Sequence, residues 1–179
     1  MSGKKYKLGN FGYDKSFHSF AAAMIPINVK ERILEKADEL FNRYGIRSVS
    51  MDDIATNLGI SKKTVYQYYT DKEELVGAVM NRKLENNRRN CLCANEEAEN
   101  PIQEIFLAFD QVSKMFASMN PAILFDLEKY HPSVYQNFSR FKMEFLYGML
   151  TDNLKRGVEQ ELYRPEISID VMVRYRIES

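Results

Sequence analysis

A short polar segment, residues 62–68, holds the side chains of this chain that are best suited to contact a polyanion. Its sequence, KKTVYQY, combines ammonium, hydroxyl and amide groups within about two helical turns. Lysine can donate hydrogen bonds to guanine O6 and N7, and glutamine can pair with the edge of adenine. Hydroxyl groups of threonine and tyrosine can donate to phosphate oxygens. This combination is typical of a helix that reads DNA in the major groove.

Capping signals on both sides place this segment on the second helix of a helix-turn-helix unit. Ser50, with Asp53 three residues later, has the spacing of a capping box and predicts the start of the first helix. Gly59 offers a left-handed residue where that helix must end. Ser61 then predicts the start of the second helix, which in such units enters the major groove.

The surrounding residues resemble a known family. The segment LFNRYGIRSVSMDDIATNLGISKKTVYQYYTDKEELV, residues 40–76, is similar to the DNA-binding domain of TetR-type transcriptional regulators. The resemblance covers roughly residues 29–80. It implies an all-α fold in which a three-helix DNA-binding domain precedes a helical domain for ligand binding and dimerisation. Tyr68 stands where histidine is frequent in the family, so no base preference is transferred.

The resemblance also implies which side chains face DNA. Backbone amides at the helix starts near the two capping serines are expected to hold phosphates, and the positions carried over are Ser50, Ser61, Lys62, Lys63, Thr64, Tyr66, Gln67, Tyr68 and Lys72. Within the same helix we expect Val65 and Tyr69 to be core residues. The alternative is a three-helix scaffold whose polar face binds another protein.

We expect three regions along the chain. Residues 1–28 have no stable hydrophobic period and predict a flexible tail; the alternatives are a basic arm for the minor groove and a translation start at Met24. Residues 29–75 form the predicted DNA-binding domain, with a fourth helix starting near Lys72. Residues 76–179 form the predicted regulatory and dimerisation domain, whose last segment, 168–177, we interpret as a helix although its alternation also fits a strand.

Aromatic residues recur at helical spacing through the second half of the chain. Ligand pockets are mostly apolar with a few polar groups, so these residues are candidates for binding a small apolar effector: Phe106, Phe109, Phe116, Phe125, Tyr130, Phe138, Phe141 and Phe145. For each of them the alternative is a place in the core, because helical bundles must bury such stripes.

Composition excludes several classes of function. The chain has 179 residues with equal numbers of acidic and basic side chains, and no apolar run is long enough to span a bilayer. We therefore expect a cytoplasmic protein without a membrane segment. Cys91 and Cys93 are interpreted as free thiols rather than metal ligands, since residues two apart do not share a helix face. No catalytic motif is present, so we expect no enzyme, no cofactor and no metal site.

The resemblance implies the partners. They are a double-stranded DNA operator, a small-molecule effector that releases a repressor from it, and a second copy of the chain. In the family two C-terminal helices form a four-helix dimer contact, whereas this sequence stops soon after the first of them begins, so the dimer interface stays open. The rival interpretations are a protein-interaction module and a small-molecule-binding helical bundle, neither of which would bind DNA specifically.

Overall fold

The computed structural model describes residues 28–178, and every regular element in this range is an α-helix. The predicted tail and Met24 lie outside the described residues, apart from Asn28, whose Oδ1 accepts a hydrogen bond from the backbone N–H of Lys30 and caps the first helix. The helices are α1 (Val29–Tyr44), α2 (Met51–Leu58), α3 (Lys62–Tyr68), α4 (Lys72–Glu97), α5 (Pro101–Ala117), α6 (Ala122–Tyr130), α7 (Pro132–Glu159) and α8 (Ile169–Glu178). The all-α prediction is confirmed.

The first three helices share one apolar core with the start of α4. The predicted stripe of α1 is buried, and it packs with Ile54 of α2 and Val65 of α3. Leu75 and Val76 add the first turns of α4 to the same cluster. Because α2 and α3 are short, this shared core and not intrinsic helix propensity holds them in place.

The fourth helix joins the N-terminal unit to the rest of the molecule. It contacts α1 at one end and packs along α5 and α7 further on. It therefore crosses the predicted domain boundary between residues 75 and 76. The polar segment 86–90 continues the helix and is largely exposed. A change in the body can reach the N-terminal unit through this helix.

Helix α5 buries a different face from the one that its aromatic stripe suggests. Its most buried residues are Pro101, Glu104 and Ala108, while Phe106 and Phe109 are exposed. The interpretation of these two phenylalanines as core residues is therefore wrong. The physical reason is that Glu104 is drawn inward by hydrogen bonds to side chains of α7, which turns the aromatic stripe outward.

The C-terminal segment is helical, as predicted, and packs on α7. Gly157 does not end α7, although glycine is a common helix stop: the helix continues to Glu159, and the left-handed residue after it is Glu161, with φ 59°. Across residues 28–178, no helix combines the length and apolarity needed to cross a bilayer.

Candidate nucleic-acid interface

Reciprocal hydrogen bonds fix the start of α2. The Ser50 hydroxyl accepts from the Asp53 backbone N–H at 3.1 Å, and the Asp53 carboxylate accepts from the Ser50 backbone N–H at 2.8 Å. The Ser50 hydroxyl also donates to the Asp53 carboxylate at 2.6 Å, and this bond, followed by the bond from the Ser50 backbone N–H, lowers the pKa of Asp53. The predicted capping box is therefore present. Both the N–H and the hydroxyl of Ser50 already donate to Asp53, so a phosphate here must use the next backbone amides or displace these bonds.

A tight turn then sets the angle between α2 and α3. Gly59 ends α2 in the left-handed conformation, with φ 66°, and its N–H bonds the Ala55 and Thr56 carbonyl oxygens. Ser61 caps α3 by accepting from the Thr64 backbone N–H at 3.0 Å. The turn and both caps agree with the sequence prediction.

Two residues anchor α3 and so decide which side faces outward. Val65 is fully buried and Tyr69 is 2% exposed, which confirms that both belong to the core. The opposite face carries the predicted contact residues. Exposed side chains are Ser50, Ser61, Lys62, Lys63, Tyr66, Gln67 and Tyr68, and Thr64 and Lys72 are partly exposed.

The charge on this face is partly compensated. The Lys62 ammonium lies 2.7 Å from the Asp52 carboxylate of α2 and 5.8 Å from the centre of the Tyr66 ring. Hydrogen bonding to Asp52 raises the pKa of Lys62. A phosphate that contacts Lys62 must therefore compete with Asp52.

Lys72 is placed differently from the residues of α3. Its side chain is partly buried, and its Nζ donates to the Arg47 carbonyl oxygen at 3.4 Å. Burial lowers the pKa of Lys72, and the nearby carboxylates of Asp126 and Asp53 oppose that shift. Lys72 thus braces the loop between α1 and α2 as well as flanking the exposed face.

A second set of contacts, which no sequence pattern predicts, joins this unit to α6 and α7. The Asp126 carboxylate accepts from the Arg47 backbone N–H at 2.8 Å, and the Arg47 guanidinium lies 5.1 Å from the Tyr130 ring centre. At the start of α4, Glu73 hydrogen-bonds the His131 imidazole and accepts from the Ser133 hydroxyl. No local sequence signal indicates these hydrogen bonds, because 58 to 79 positions separate the partners.

The predicted effector residues do not converge on one cavity among the described residues. Phe106 and Phe109 line a cavity of about 440 Å³ formed with α7 and α8, while Phe145 lines another of about 350 Å³. Phe138 lies in the core, and Phe141 packs against that core and stacks on Phe145. Phe116, Phe125 and Tyr130 are exposed, and the last two lie beneath the Lys129 ammonium. The thiol of Cys91 is buried, which raises its pKa, and Cys93 is exposed.

Known proteins share both the N-terminal unit and the overall architecture. The family described as bacterial regulatory proteins, tetR family, matches residues 33–79. The HTH-type transcriptional regulator YvaF of Bacillus subtilis is 28% identical over 117 residues, which is 64% of this chain and 60% of that protein. The HTH-type transcriptional repressor KstR2 of Mycobacterium tuberculosis is 24% identical over 151 residues, covering 80% of this chain and 73% of the repressor.

A solved structure agrees with these matches. The TetR family transcriptional regulator PfmR of Thermus thermophilus superimposes with a TM-score of 0.64 at 25% identity, over 80% of this chain and 79% of that one. The superposition includes the helical body, which lies outside the family match to residues 33–79. The capped helix-turn-helix and the helical body therefore occur together in proteins of one kind, and this chain belongs to the TetR family of bacterial transcriptional regulators.

Proposed function

We propose that this chain is a cytoplasmic, sequence-specific DNA-binding regulator whose α3 enters the major groove. The observation that carries the proposal is the anchoring of α3 by Val65 and Tyr69. A helix of seven residues has no stable orientation of its own. Because these two residues fix one side to the core, the polar side is held outward in a single orientation.

The exposed face supplies two kinds of contact. Lys62, Lys63 and Gln67 are of the types that read base edges, and hydroxyl groups are of the type that positions a protein on phosphates. We assign DNA contacts to the predicted set, with phosphate contacts for Ser50, Ser61, Thr64, Tyr66, Tyr68 and Lys72. The equal numbers of acidic and basic residues in the whole chain do not oppose this, because positive charge is needed only at the interface.

We propose that two copies bind one operator. In helix-turn-helix dimers the recognition helices enter successive major grooves about 34–36 Å apart, so the operator is close to palindromic. A repressor is the favoured direction, and the name of KstR2 as a transcriptional repressor supports it. The predicted domain division is part of this proposal: residues 29–75 bind DNA and residues 76–179 regulate and dimerise.

A small molecule bound in the body would release the operator. The junction with α6 and α7 supports this step, since Asp126 holds the loop that precedes α2 and His131 and Ser133 hold the first turn of α4. A ligand that binds better when these contacts are shifted changes the position of α3 by population shift. The cavities lined by Phe106, Phe109 and Phe145 are the candidate entry points.

Fluorescence anisotropy tests the proposal. Labelled DNA from upstream of the chain's own gene is titrated with protein at two salt concentrations, with random-sequence DNA as competitor. Binding by a specific regulator is saturable and persists when the competitor is present. Its affinity falls steeply as the salt concentration rises, because phosphate contacts release counterions. If the chain instead binds no tested DNA in a salt-dependent way while sedimentation shows a dimer, the alternative of a protein-interaction module is favoured.

A further inference from the structure

A cavity of about 350 Å³ lies between α4, α5 and α7. Its volume is at the lower end of the range of about 300–1,000 Å³ that is typical of small-molecule sites. Leu92, Phe145 and Met149 give it an apolar wall, and the carboxylates of Glu104, Glu144 and Asp152 also belong to its lining. The site therefore offers a hydrophobic surface beside negative charge.

Glu104 is the unusual member of this lining. The residue is 2% exposed. Its Oε2 accepts from Asn153 at 3.0 Å and from Arg156 at 2.6 Å, whereas its Oε1 is buried without a hydrogen-bond partner. A buried carboxylate oxygen without a donor is costly, and a donor supplied by a ligand would offset that cost.

The protein does not supply enough positive charge to this cavity. Arg156 is shared between Glu104 and Asp152, its Nε lying 2.8 Å from Asp152 Oδ2. Arg88, the basic residue of the lining, lies 3.5 Å from Glu85 on its own helix. The carboxylates of the lining therefore outnumber the cations available to them, which favours a positively charged ligand.

We propose that this cavity binds a small organic cation with an apolar body. An ammonium or amidinium group donates to Glu104 Oε1, and the apolar body packs on Leu92, Phe145 and Met149. The Phe145 ring adds a cation–π contact, because aromatic faces attract cations. The regulatory role of this site rests on the proposed function. The cavity is lined by α4, and Glu73 holds the first turn of α4 to α7. A cation bound in the cavity is therefore the effector that acts on the DNA-binding unit.

Isothermal titration calorimetry on the free protein tests the site with three probes of equal chain length: octylammonium, octan-1-ol and octanoate. A charge-assisted hydrogen bond is worth about 1.5–3 kcal/mol, so octylammonium should bind at least about tenfold more tightly than octan-1-ol. Octanoate should bind most weakly of the three. Equal affinity for octylammonium and octan-1-ol overturns the proposal.

Two substitutions locate the binding. Glu104→Gln keeps an acceptor for Asn153 and Arg156 but removes the charge, so the preference for octylammonium should disappear while octan-1-ol binding remains. Gly148 lines the cavity, and a Cβ added there meets no atom within 4 Å. Gly148→Leu should therefore fold and block all probes. Glu159→Gln, at an exposed position of α7 outside this lining, is the charge control for Glu104→Gln and should leave the preference unchanged.

The outcomes separate this site from the proposed function, because no DNA is present in the titrations. An octylammonium preference that persists in Glu104→Gln overturns the assignment to Glu104. If Glu104→Gln fails to fold, judged by circular dichroism, the Gly148→Leu variant decides, and unchanged binding there overturns the site. A chain that binds octylammonium as expected but never binds DNA would leave the site standing and refute the regulator.

Discussion

The carboxylate of Asp126 accepts a hydrogen bond from the backbone N–H of Arg47 across 2.8 Å, although 79 positions separate the two residues. Asp126 is buried on α6, and Arg47 belongs to the loop that leads into α2. Gly45 in the same loop has φ 80°, and a Cβ added to it would lie 3.2 Å from Asp126 Oδ2. The body thus contacts the backbone of the DNA-binding unit directly, and α4 is not the only link between them.

Removing the acceptor should weaken this link. We expect Asp126→Ala to lower the free energy of unfolding by on the order of 1 kcal/mol, because the Arg47 N–H loses its partner at a partly exposed site. We expect operator affinity to fall with it, since the loop before α2 is released. Asp126→Asn keeps an oxygen acceptor. Its loss of unfolding free energy, measured by urea denaturation, and its loss of operator affinity, measured by anisotropy, should both be clearly smaller. Equal losses in the two variants would show that the hydrogen bond is not what matters.

Exposed residues of α3 should affect DNA binding without affecting stability. We expect Lys62→Ala, which removes a base-reading side chain, to weaken specific binding by about 1–3 kcal/mol, and Tyr68→Ala, which removes a phosphate contact, to weaken binding to operator and random DNA alike. Both side chains are exposed, so melting temperatures should stay close to that of the wild type. Val65→Ala is the contrast, because Val65 is fully buried and its truncation should destabilise the protein. Normal operator affinity in both exposed variants would refute the contact assignment.

The Asp52 carboxylate should act against DNA binding. It holds the Lys62 ammonium at 2.7 Å and adds negative charge to a face that meets phosphates. We expect Asp52→Asn to raise affinity for both operator and random DNA and to steepen the dependence on salt, because the face that meets the phosphates then carries one negative charge less. Affinity measured at several salt concentrations checks this. Asp53→Asn is an unsuitable control because Asp53 closes the capping box; Glu128→Gln, an exposed acidic residue of α6, serves instead.

Local signals in the sequence were sufficient to predict the DNA-binding unit. The Ser50 capping box, the left-handed Gly59 and the Ser61 cap each depend on residues within four positions, and the structure contains all three. Helix α6 is likewise bounded by local signals, because Pro121 precedes it and Pro132 follows it in the chain. These features can be predicted because the interactions that determine them join residues that are close in the sequence.

Features that depend on distant partners were not predictable in this way. The stripe of Phe106, Phe109 and Phe116 has the spacing of a core face, yet the hydrogen bonds of Glu104 to Asn153 and Arg156 decide that another face of α5 is buried. The sequence contains no sign of this pairing across about 50 positions. The contacts of Asp126 and of Glu73 with the opposite unit were missed for the same reason.

Acidification should loosen the junction at Glu73. Burial acts to raise the pKa of its carboxyl group, but hydrogen bonds from Ser133 and His131 outweigh burial and hold the pKa below the ordinary value of 4.5. A carboxylate with a lowered pKa contributes stability that is fully present above about pH 4.5 and is lost as the pH falls through the folded-state pKa.

Melting temperatures between pH 7 and pH 3 measure this contribution. The wild type should lose stability more steeply below pH 4.5 than Glu73→Gln, which keeps an acceptor for Ser133 but cannot titrate. Ser133→Ala removes one of the two hydrogen bonds to Glu73, so its melting temperature should fall with pH at a rate between those of the other two proteins. Parallel curves for the wild type and Glu73→Gln would mean that other carboxylates dominate the acid response.

Two glycines of α7 should respond in opposite ways to the same substitution. Gly148 is exposed in mid-helix with open space where a Cβ would lie, so Gly148→Ala should stabilise the protein by up to about 1 kcal/mol through helix propensity. Gly157 is buried, and a Cβ there would overlap the ring of Tyr163. The ring cannot move freely, because the backbone N–H of Tyr163 donates to the Gly157 carbonyl oxygen at 3.0 Å and its hydroxyl donates to Asn153.

We therefore expect Gly157→Ala to destabilise the protein by about 1–3 kcal/mol, the usual cost of overpacking. The Tyr163 hydroxyl also lies 3.1 Å from Asn153 Oδ1, so displacement of the ring should disturb the residues that hold Glu104. Urea denaturation of both alanine variants measures the difference. If Gly157→Ala were as stable as Gly148→Ala, the close approach of the Tyr163 ring would not be the reason for glycine at position 157.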